Sequence, residues 1–186
     1  MAPTVLLSII FSFRNEEDVL SELIRRVNAV LSEQQVDYEL IFVNDDSNDG
    51  SQDLLINERA KNPRIKIINM SRRFGVSECV MAGMVYASGD AIVHMDTDLQ
   101  DPPEVIPELI AKWQAGADVV YTVRTKRDGE NPLKMLLTRM AYRAINAASE
   151  IDLPVNAGDF RLLDRKVSDR FLKLEERDPY TRGLVP

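Results

Sequence analysis

In Ala91-Ile92-Val93-His94-Met95-Asp96-Thr97-Asp98-Leu99-Gln100, an apolar run leads directly into two aspartates. The apolar run predicts a buried strand, and Pro102-Pro103 can end it and start a helix. Because alternate strand residues point to the same side, Asp96 and Asp98 can face one pocket. Two such carboxylates repel unless a cation joins them, and oxygen ligands suit Mg²⁺ or Mn²⁺. A solvated acidic turn explains an isolated Asp-x-Asp equally simply.

Length and composition place the chain among ordinary globular domains. Its 186 residues suit one domain, 1–186, and 45% hydrophobic with 28% charged residues is typical of a soluble protein. The net charge of -7 argues against a general nucleic-acid binder. A single cysteine, Cys79, excludes an internal disulfide and a cysteine-based zinc site. No apolar run approaches the length of a membrane-spanning helix.

Predicted strands and helices alternate along the chain, which favours an α/β fold with a mostly parallel sheet and helices on both faces. The predicted strands are Val5 to Phe13, Tyr38 to Val43, Ile65 to Asn69, Ala91 to Met95, Ala117 to Val123 and Gly158 to Leu163. The first predicted helix begins after Asn15, which can cap it. The other predicted helices span Gln52 to Ala60, Val76 to Ala87, Glu104 to Trp113, Pro132 to Ser149 and Asp164 to Leu174.

Three acidic segments follow predicted strands: Asn15-Glu16-Glu17, Asp45 to Asp49 and Asp96 to Gln100. In a parallel sheet these segments share one edge and can converge. Their carboxylates can accept hydrogen bonds from a base imide or a ribose hydroxyl, or hold a metal on a diphosphate. Each segment alone is also explained as a helix cap or a turn. His94 is interpreted as a core side chain or a group that supports the site, rather than a catalyst, and Cys79 as a core side chain.

Sequence motifs of several common α/β enzymes are missing. The chain has no Gly-x-Gly-x-x-Gly after its first strand, no P-loop and no Gly-x-Ser-x-Gly. Dinucleotide oxidoreductases, P-loop enzymes and α/β-hydrolases are therefore not indicated. A basic segment does follow Val123, with Arg124 and Arg127 in a loop and Lys134 and Arg139 on the next predicted helix. It is either a solvated surface or a lip that meets anionic lipid or phosphate.

Four blocks in register across nearly the whole chain resemble the family 2 glycosyltransferases of GT-A fold. Within that family the polyprenyl-phosphate group, such as dolichyl-phosphate mannose synthase and bactoprenyl-phosphate glucosyltransferase, is the more similar. The blocks are Val43 to Ser51, Phe74-Gly75, Asp96-Thr97-Asp98-Leu99-Gln100-Asp101-Pro102-Pro103-Glu104 and Gly158-Asp159-Phe160-Arg161-Leu162-Leu163-Asp164-Arg165.

The resemblance implies an inverting transfer from a nucleotide-diphosphate sugar to a polyprenyl phosphate. Asp45 would hold the nucleotide base, and Glu16 would line the same pocket. Asp96 would lie at the ribose and diphosphate, and Asp96, Asp98 and Gln100 would ligate Mg²⁺ or Mn²⁺. UDP-glucose is the first donor expected, followed by other UDP sugars and GDP-mannose.

The acceptor half of the site is also implied. Asp159 matches a position proposed as catalytic base in some relatives, and Arg161 would support the phosphates beside it. A monoalkyl phosphate is already largely dianionic at neutral pH, so Asp159 can position rather than deprotonate it. Arg124 would meet phosphate by the same resemblance. Local charge adds the other members of a cationic cradle, Arg127, Lys134 and Arg139.

Departures from the family pattern concern the donor pocket. Ser12 and Arg14 stand where the family usually has Pro and Tyr, Asp46 stands where it has Gly, and Arg73 where it has Asn. These positions leave the nucleotide and the sugar open.

The resemblance further predicts a catalytic domain cut before a membrane-anchoring region. We expect it to act on the cytoplasmic face of a membrane, this fragment itself being soluble. A membrane surface is then a partner, nucleic acid is not, and a homo-oligomer stays open. Two alternatives remain: a family 2 enzyme acting on a soluble sugar or protein acceptor, and a non-catalytic nucleotide-binding domain.

Overall fold

The computed structural model describes residues 5–123 and 157–174, and within them six strands form one sheet. The strands are β1 (Leu6–Phe13), β2 (Asp37–Asn44), β3 (Ile65–Asn69), β4 (Ala91–Asp96), β5 (Val119–Val123) and β6 (Ala157–Asp164). Their order across the sheet is β3-β2-β1-β4-β6-β5.

Only β6 runs against the direction of the other described strands. β1 pairs in parallel with β2 and β4, and β2 pairs in parallel with β3. β6 pairs antiparallel with both β4 and β5 and so separates them. The predicted mostly parallel sheet is confirmed, and the predicted strand Gly158 to Leu163 takes this inserted position.

Helices cover both faces of the sheet. They are α1 (Glu17–Ser32), α2 (Ser51–Lys61), α3 (Val76–Tyr86), α4 (Ile106–Gln114) and α5 (Arg165–Phe171), with a 3₁₀ turn at Pro103–Val105. The predicted bounds of these elements differ from the observed ones by at most about three residues, and the predicted helix Pro132 to Ser149 lies outside the described residues. No helix in 5–123 or 157–174 has the length and apolarity needed to cross a membrane.

The alternation of β1 explains the two layers. Its odd-numbered residues, such as Phe11, join the apolar core formed with α1, α2 and α4. Ile10, on the opposite face, joins the second core with Val80 and Met84 of α3 and Phe171 of α5. Both faces of a parallel strand are therefore buried, which is why its sequence reads as a nearly continuous apolar run.

The start of α1 corrects one local prediction. Asn15 is the predicted cap of this helix, but the observed N-cap residue is Glu16. The side chain of Glu16 makes no capping hydrogen bond to the helix. The Oδ1 atom of Asn15 instead accepts a hydrogen bond from the backbone N–H of Asn48 at 2.9 Å. The side chain predicted to cap the helix therefore binds the backbone of the neighbouring turn instead.

A close backbone approach at the amino-terminal edge of the sheet gives a stability prediction. A Cβ atom at Gly89 would lie 2.5 Å from the backbone nitrogen of Ser8 and 2.8 Å from the carbonyl oxygen of Leu6. Gly89→Ala is therefore expected to lower the free energy of unfolding by about 1–3 kcal/mol, the usual cost of overpacking. Urea unfolding measures this change. The exposed neighbour provides the control, Ser88→Ala, which should stay within about 0.5 kcal/mol of wild type. Equal stabilities of the two variants would contradict the prediction.

Candidate functional site

A cleft of about 290 Å³ lies at the carboxyl ends of β1, β2 and β4. Open α/β sheets bind ligands at this edge. Four of the predicted site residues, Glu16, Asp45, Asp96 and Asp98, line it together. The remaining lining residues are Ser12, Phe13, Arg14, Val76, Cys79 and Thr97. The predicted convergence of the three acidic segments is therefore observed.

The three turns after these strands share an uncommon backbone conformation. Asn15, Asp46 and Leu99 have φ angles of 59°, 59° and 60°, in the left-handed region. Asn and Asp tolerate this region through their short polar side chains, whereas Leu does not. Such strained backbone persists only where its surroundings hold it. At Leu99 the side chain packs on the core, and the following N–H, of Gln100, donates to Asp98 Oδ1 at 3.0 Å.

The first two turns are tied into one unit by hydrogen bonds. The backbone N–H of Glu16 donates to Ser51 Oγ at 2.9 Å, and that of Glu17 donates to Asp49 Oδ2 at 3.2 Å. These contacts satisfy amide groups at the start of α1 that have no partner within the helix. They also hold the side chain of Glu16 at the cleft beside the segment that follows β2.

Asp45 is buried and anchors the loop before α3. Its Oδ1 and Oδ2 accept the backbone N–H groups of Phe74 and Gly75 at 2.7 and 3.0 Å. The nearby thiol of Cys79 stays protonated, because burial and then the charge of Asp45 raise its pKa to about 12. Each carboxylate oxygen has a further lone pair, so Asp45 can still accept a hydrogen bond from a ligand in the cleft.

The cleft concentrates negative charge. The pKa of Glu16 is raised above its ordinary value, first by burial and then by the charges of Asp98 and Asp49. Asp96 is half-buried and Asp98 is exposed, so both are within reach of a ligand in the cleft. A cation bound there would relieve this repulsion.

The carboxylates at the cleft can supply some of the ligands of a metal ion, and a bound substrate and water would have to supply the rest. Within residues 5–123 and 157–174, no three side chains of His, Cys, Asp or Glu lie together as a metal-binding group. Asp96 and Asp98 suit a cation that takes further ligands from a diphosphate and water, the usual arrangement for Mg²⁺. Gln100 is exposed and absent from the cleft lining, so its role as third protein ligand stays a prediction.

A second polar cluster lies on β6, beside β4. The guanidinium of Arg161 is buried, with its Nη2 atom 3.6 Å from Asp159 Oδ1. Arg161 pairs in register with His94, two residues before Asp96 on the neighbouring strand. Neither Asp159 nor Arg161 lines the cleft that holds the acidic residues. The two predicted halves of the site thus lie on adjacent strands.

His94 contacts the backbone of this second cluster. Its Nδ1 atom lies 3.2 Å from the carbonyl oxygen of Asp159, and because a carbonyl only accepts, Nδ1 carries the proton. Burial, with a further contribution from Arg161, lowers the pKa of His94 to about 4 against an opposing effect of Asp159. The interpretation of His94 as a buried supporting group agrees with this geometry.

The four residues of the predicted cationic cradle lie outside the described residues. They are Arg124, Arg127, Lys134 and Arg139. Ser12 and Arg14, which depart from the family pattern at the expected donor pocket, line the cleft, and so does Thr97, to which the motifs assign no role. For Ser12 the sequence signal is that departure, at a polar position near the end of a mostly apolar strand.

Comparisons with known proteins show the family of this chain. The family model described as Glycosyl transferase family 2 matches residues 8–172. The uncharacterized glycosyltransferase YkcC of Bacillus subtilis (strain 168) is 48% identical over 96% of this chain and 55% of its own length. The bactoprenol glucosyl transferase of Shigella phage SfV is 34% identical over 96% of this chain and 58% of its own length. The chain therefore spans a little over half the length of these relatives.

Solved structures show the same fold. Mannosyl-3-phosphoglycerate synthase from Rubrobacter xylanophilus matches with a TM-score of 0.68 and 18% identity, over 88% of this chain and 55% of that one. Glucosyl-3-phosphoglycerate synthase from Mycobacterium tuberculosis, in complex with Mn²⁺, UDP-glucose and phosphoglyceric acid, matches with a TM-score of 0.63 and 21% identity. That match covers 88% of this chain and 58% of the other. The predicted GT-A fold is confirmed.

Proposed function

Because this chain belongs to glycosyl transferase family 2, we propose that it transfers a sugar, with inversion, from a nucleotide-diphosphate sugar to a polyprenyl phosphate. The observation that carries the proposal is the meeting of Glu16, Asp45, Asp96 and Asp98 in one cleft. The bactoprenol glucosyl transferases at 34% identity support the lipid acceptor and a glucosyl donor. UDP-glucose is accordingly the donor proposed first.

In this proposal the cleft binds the donor. The segment from Asp45, fixed by the loop at Phe74 and Gly75, lies where the nucleoside end would bind. Asp96 and Asp98 would hold Mg²⁺ or Mn²⁺, whose chemistry there would be to neutralise charge on the leaving diphosphate. The protein's own contribution is to keep both carboxylates at one end of the cleft, so that the diphosphate has a single orientation.

The acceptor phosphate would bind at the cluster on β6. A monoalkyl phosphate is largely dianionic at neutral pH, so it needs orientation and charge compensation more than proton removal. Arg161 can supply a positive charge in a planar, directional form. Asp159, 3.6 Å from it, would hold that guanidinium in place. Because the acceptor is a lipid, we place the reaction at a membrane surface, on its cytoplasmic face.

A transfer assay tests the proposal directly. The chain is incubated with Mn²⁺, a polyprenyl phosphate in detergent and UDP-glucose carrying a radiolabel in the sugar. Label is expected in the organic phase, and only when the lipid phosphate is present. A parallel reaction with GDP-mannose reports the donor preference. Label that moves to a soluble sugar or protein and stays aqueous would favour a family 2 enzyme with a soluble acceptor. UDP-glucose binding without any transfer would favour a nucleotide-binding domain.

A further inference from the structure

Ser12 carries a buried hydroxyl that the described part of the protein leaves without a hydrogen-bond partner. Its side chain lines the cleft, the residue is 7% exposed, and its Oγ atom has no partner within the described residues. In register it lies between Val43 of β2 and Asp96 of β4. Because nearly all buried polar groups are paired, such an atom facing a cleft calls for an explanation.

Ser8 on the same strand shows what a paired hydroxyl looks like in this fold. Its Oγ atom donates to Glu39 Oε1 at 2.6 Å and accepts the backbone N–H of Gly89 at 2.8 Å. Ser8 and Ser12 are four residues apart, and so they lie on the same face of β1. The hydroxyl at the amino-terminal edge completes a network that joins three segments. The one at the carboxyl edge completes none within the described residues.

The surroundings of Ser12 indicate which ligand group it would meet. The neighbouring cleft residues Asp45, Asp96 and Glu16 are carboxylates, which in the ionised form only accept hydrogen bonds. The hydroxyl of Ser12 can donate as well as accept. It therefore complements a ligand group that needs a donor, such as a base carbonyl or a ribose hydroxyl. In the proposed function the diphosphate is bound through a cation at Asp96 and Asp98, which leaves the hydroxyl of Ser12 for the nucleoside part of the donor.

We propose that Ser12 Oγ hydrogen-bonds the nucleoside part of the donor and helps set the affinity of the cleft for the nucleotide. This inference rests on the proposed function, because it takes the cleft ligand to be a nucleotide. It assigns Ser12 a binding role and no part in the transfer step. Since no residue in the described ranges pairs with this hydroxyl, its removal is expected to weaken the complex and to spare the stability of the free protein.

The test pairs two substitutions of the same type on the same strand. In Ser12→Ala we expect the dissociation constant for UDP, measured by titration calorimetry with Mn²⁺, to rise about 3- to 10-fold, the range for one net hydrogen bond. Its urea unfolding midpoint should equal or exceed that of wild type. In Ser8→Ala we expect the opposite pattern, a lower midpoint with unchanged UDP affinity, because Glu39 and Gly89 lose their partner.

A second nucleotide locates the contact. If Ser12 binds the ribose 2′-hydroxyl, Ser12→Ala should weaken UDP and leave 2′-deoxy-UDP unaffected. If it binds the base or the 3′-hydroxyl, both nucleotides should weaken alike, and either result supports the proposal. Wild-type affinity for UDP in Ser12→Ala, or a loss of stability like that of Ser8→Ala, would overturn it. Failure of wild type itself to bind either UDP or GDP would instead refute the proposed function, and this inference with it.

Discussion

Asp98→Asn is expected to lower the rate of sugar transfer by about 100-fold or more, the scale of losing one electrostatic contact to a developing charge. The substitution removes a negative charge at the proposed metal while keeping the side-chain shape. Its Oδ1 atom can still accept the backbone N–H of Gln100, so the strained turn at Leu99 should survive. The measurement is the transfer rate as a function of Mn²⁺ concentration, and the variant should need far more metal than wild type.

The control for Asp98→Asn is the same substitution outside the cleft. Asp53 is exposed on α2 and is absent from the cleft lining, so Asp53→Asn should keep the wild-type rate and metal dependence. The pKa of Glu16 provides a second readout. The charge of Asp98 helps to raise the pKa of Glu16, and Asp98→Asn should move that pKa back toward its ordinary value. A variant with wild-type rate and unchanged metal requirement would remove Asp98 from the mechanism.

The free energy of unfolding is expected to fall as the pH is lowered from about 6.5 to about 4, because of His94. The pKa of His94 is about 4 in the folded protein, against 6.5 for an ordinary histidine. Between these two pH values the histidine binds a proton in the unfolded chain but not in the folded protein. Stability is therefore fully present above pH 6.5 and is lost on acidification, by up to about 1.4 kcal/mol per pH unit and about 3 kcal/mol in all.

His94→Asn isolates this effect, because His94 is the only histidine in the chain. The amide nitrogen of Asn can replace Nδ1 as donor to the carbonyl oxygen of Asp159, and it does not titrate. Glu16 has a raised pKa, so its protonation increases the free energy of unfolding as the pH falls, opposite to the effect of His94. Because Glu16 is present in both proteins, its contribution cancels in the comparison. Urea unfolding at several values between pH 5 and 6.5 should show a steeper loss in wild type. Equal slopes would show that His94 is accessible to protons in the folded state.

Much of the fold could be predicted because it is encoded locally. Buried parallel strands read as apolar runs, and helices show apolar residues at their own period. The acidic segments after β1, β2 and β4 could be placed at one edge, since parallel strands end on the same side. The Asp96 and Asp98 pair followed from this logic together with the family resemblance.

Long-range partners could not be predicted in the same way. Asn15 has the residue type of a helix cap, yet it binds the backbone of Asn48, 33 residues away. Nothing within the local sequence identifies that competitor. The donation from His94 to Asp159 joins residues 65 apart, and it depends on β6 being inserted between β4 and β5.

The amino-acid sequence by itself determined the alternation of strands and helices, the acidic segments that follow three of the strands, and the membership of a transferase family. These properties depend on residue type and spacing along the chain. Only the tertiary structure decided which buried hydroxyl of β1 has a hydrogen-bond partner among the described residues and which has none. Ser8 and Ser12 share a strand and a face, and they differ only in what other segments bring against them.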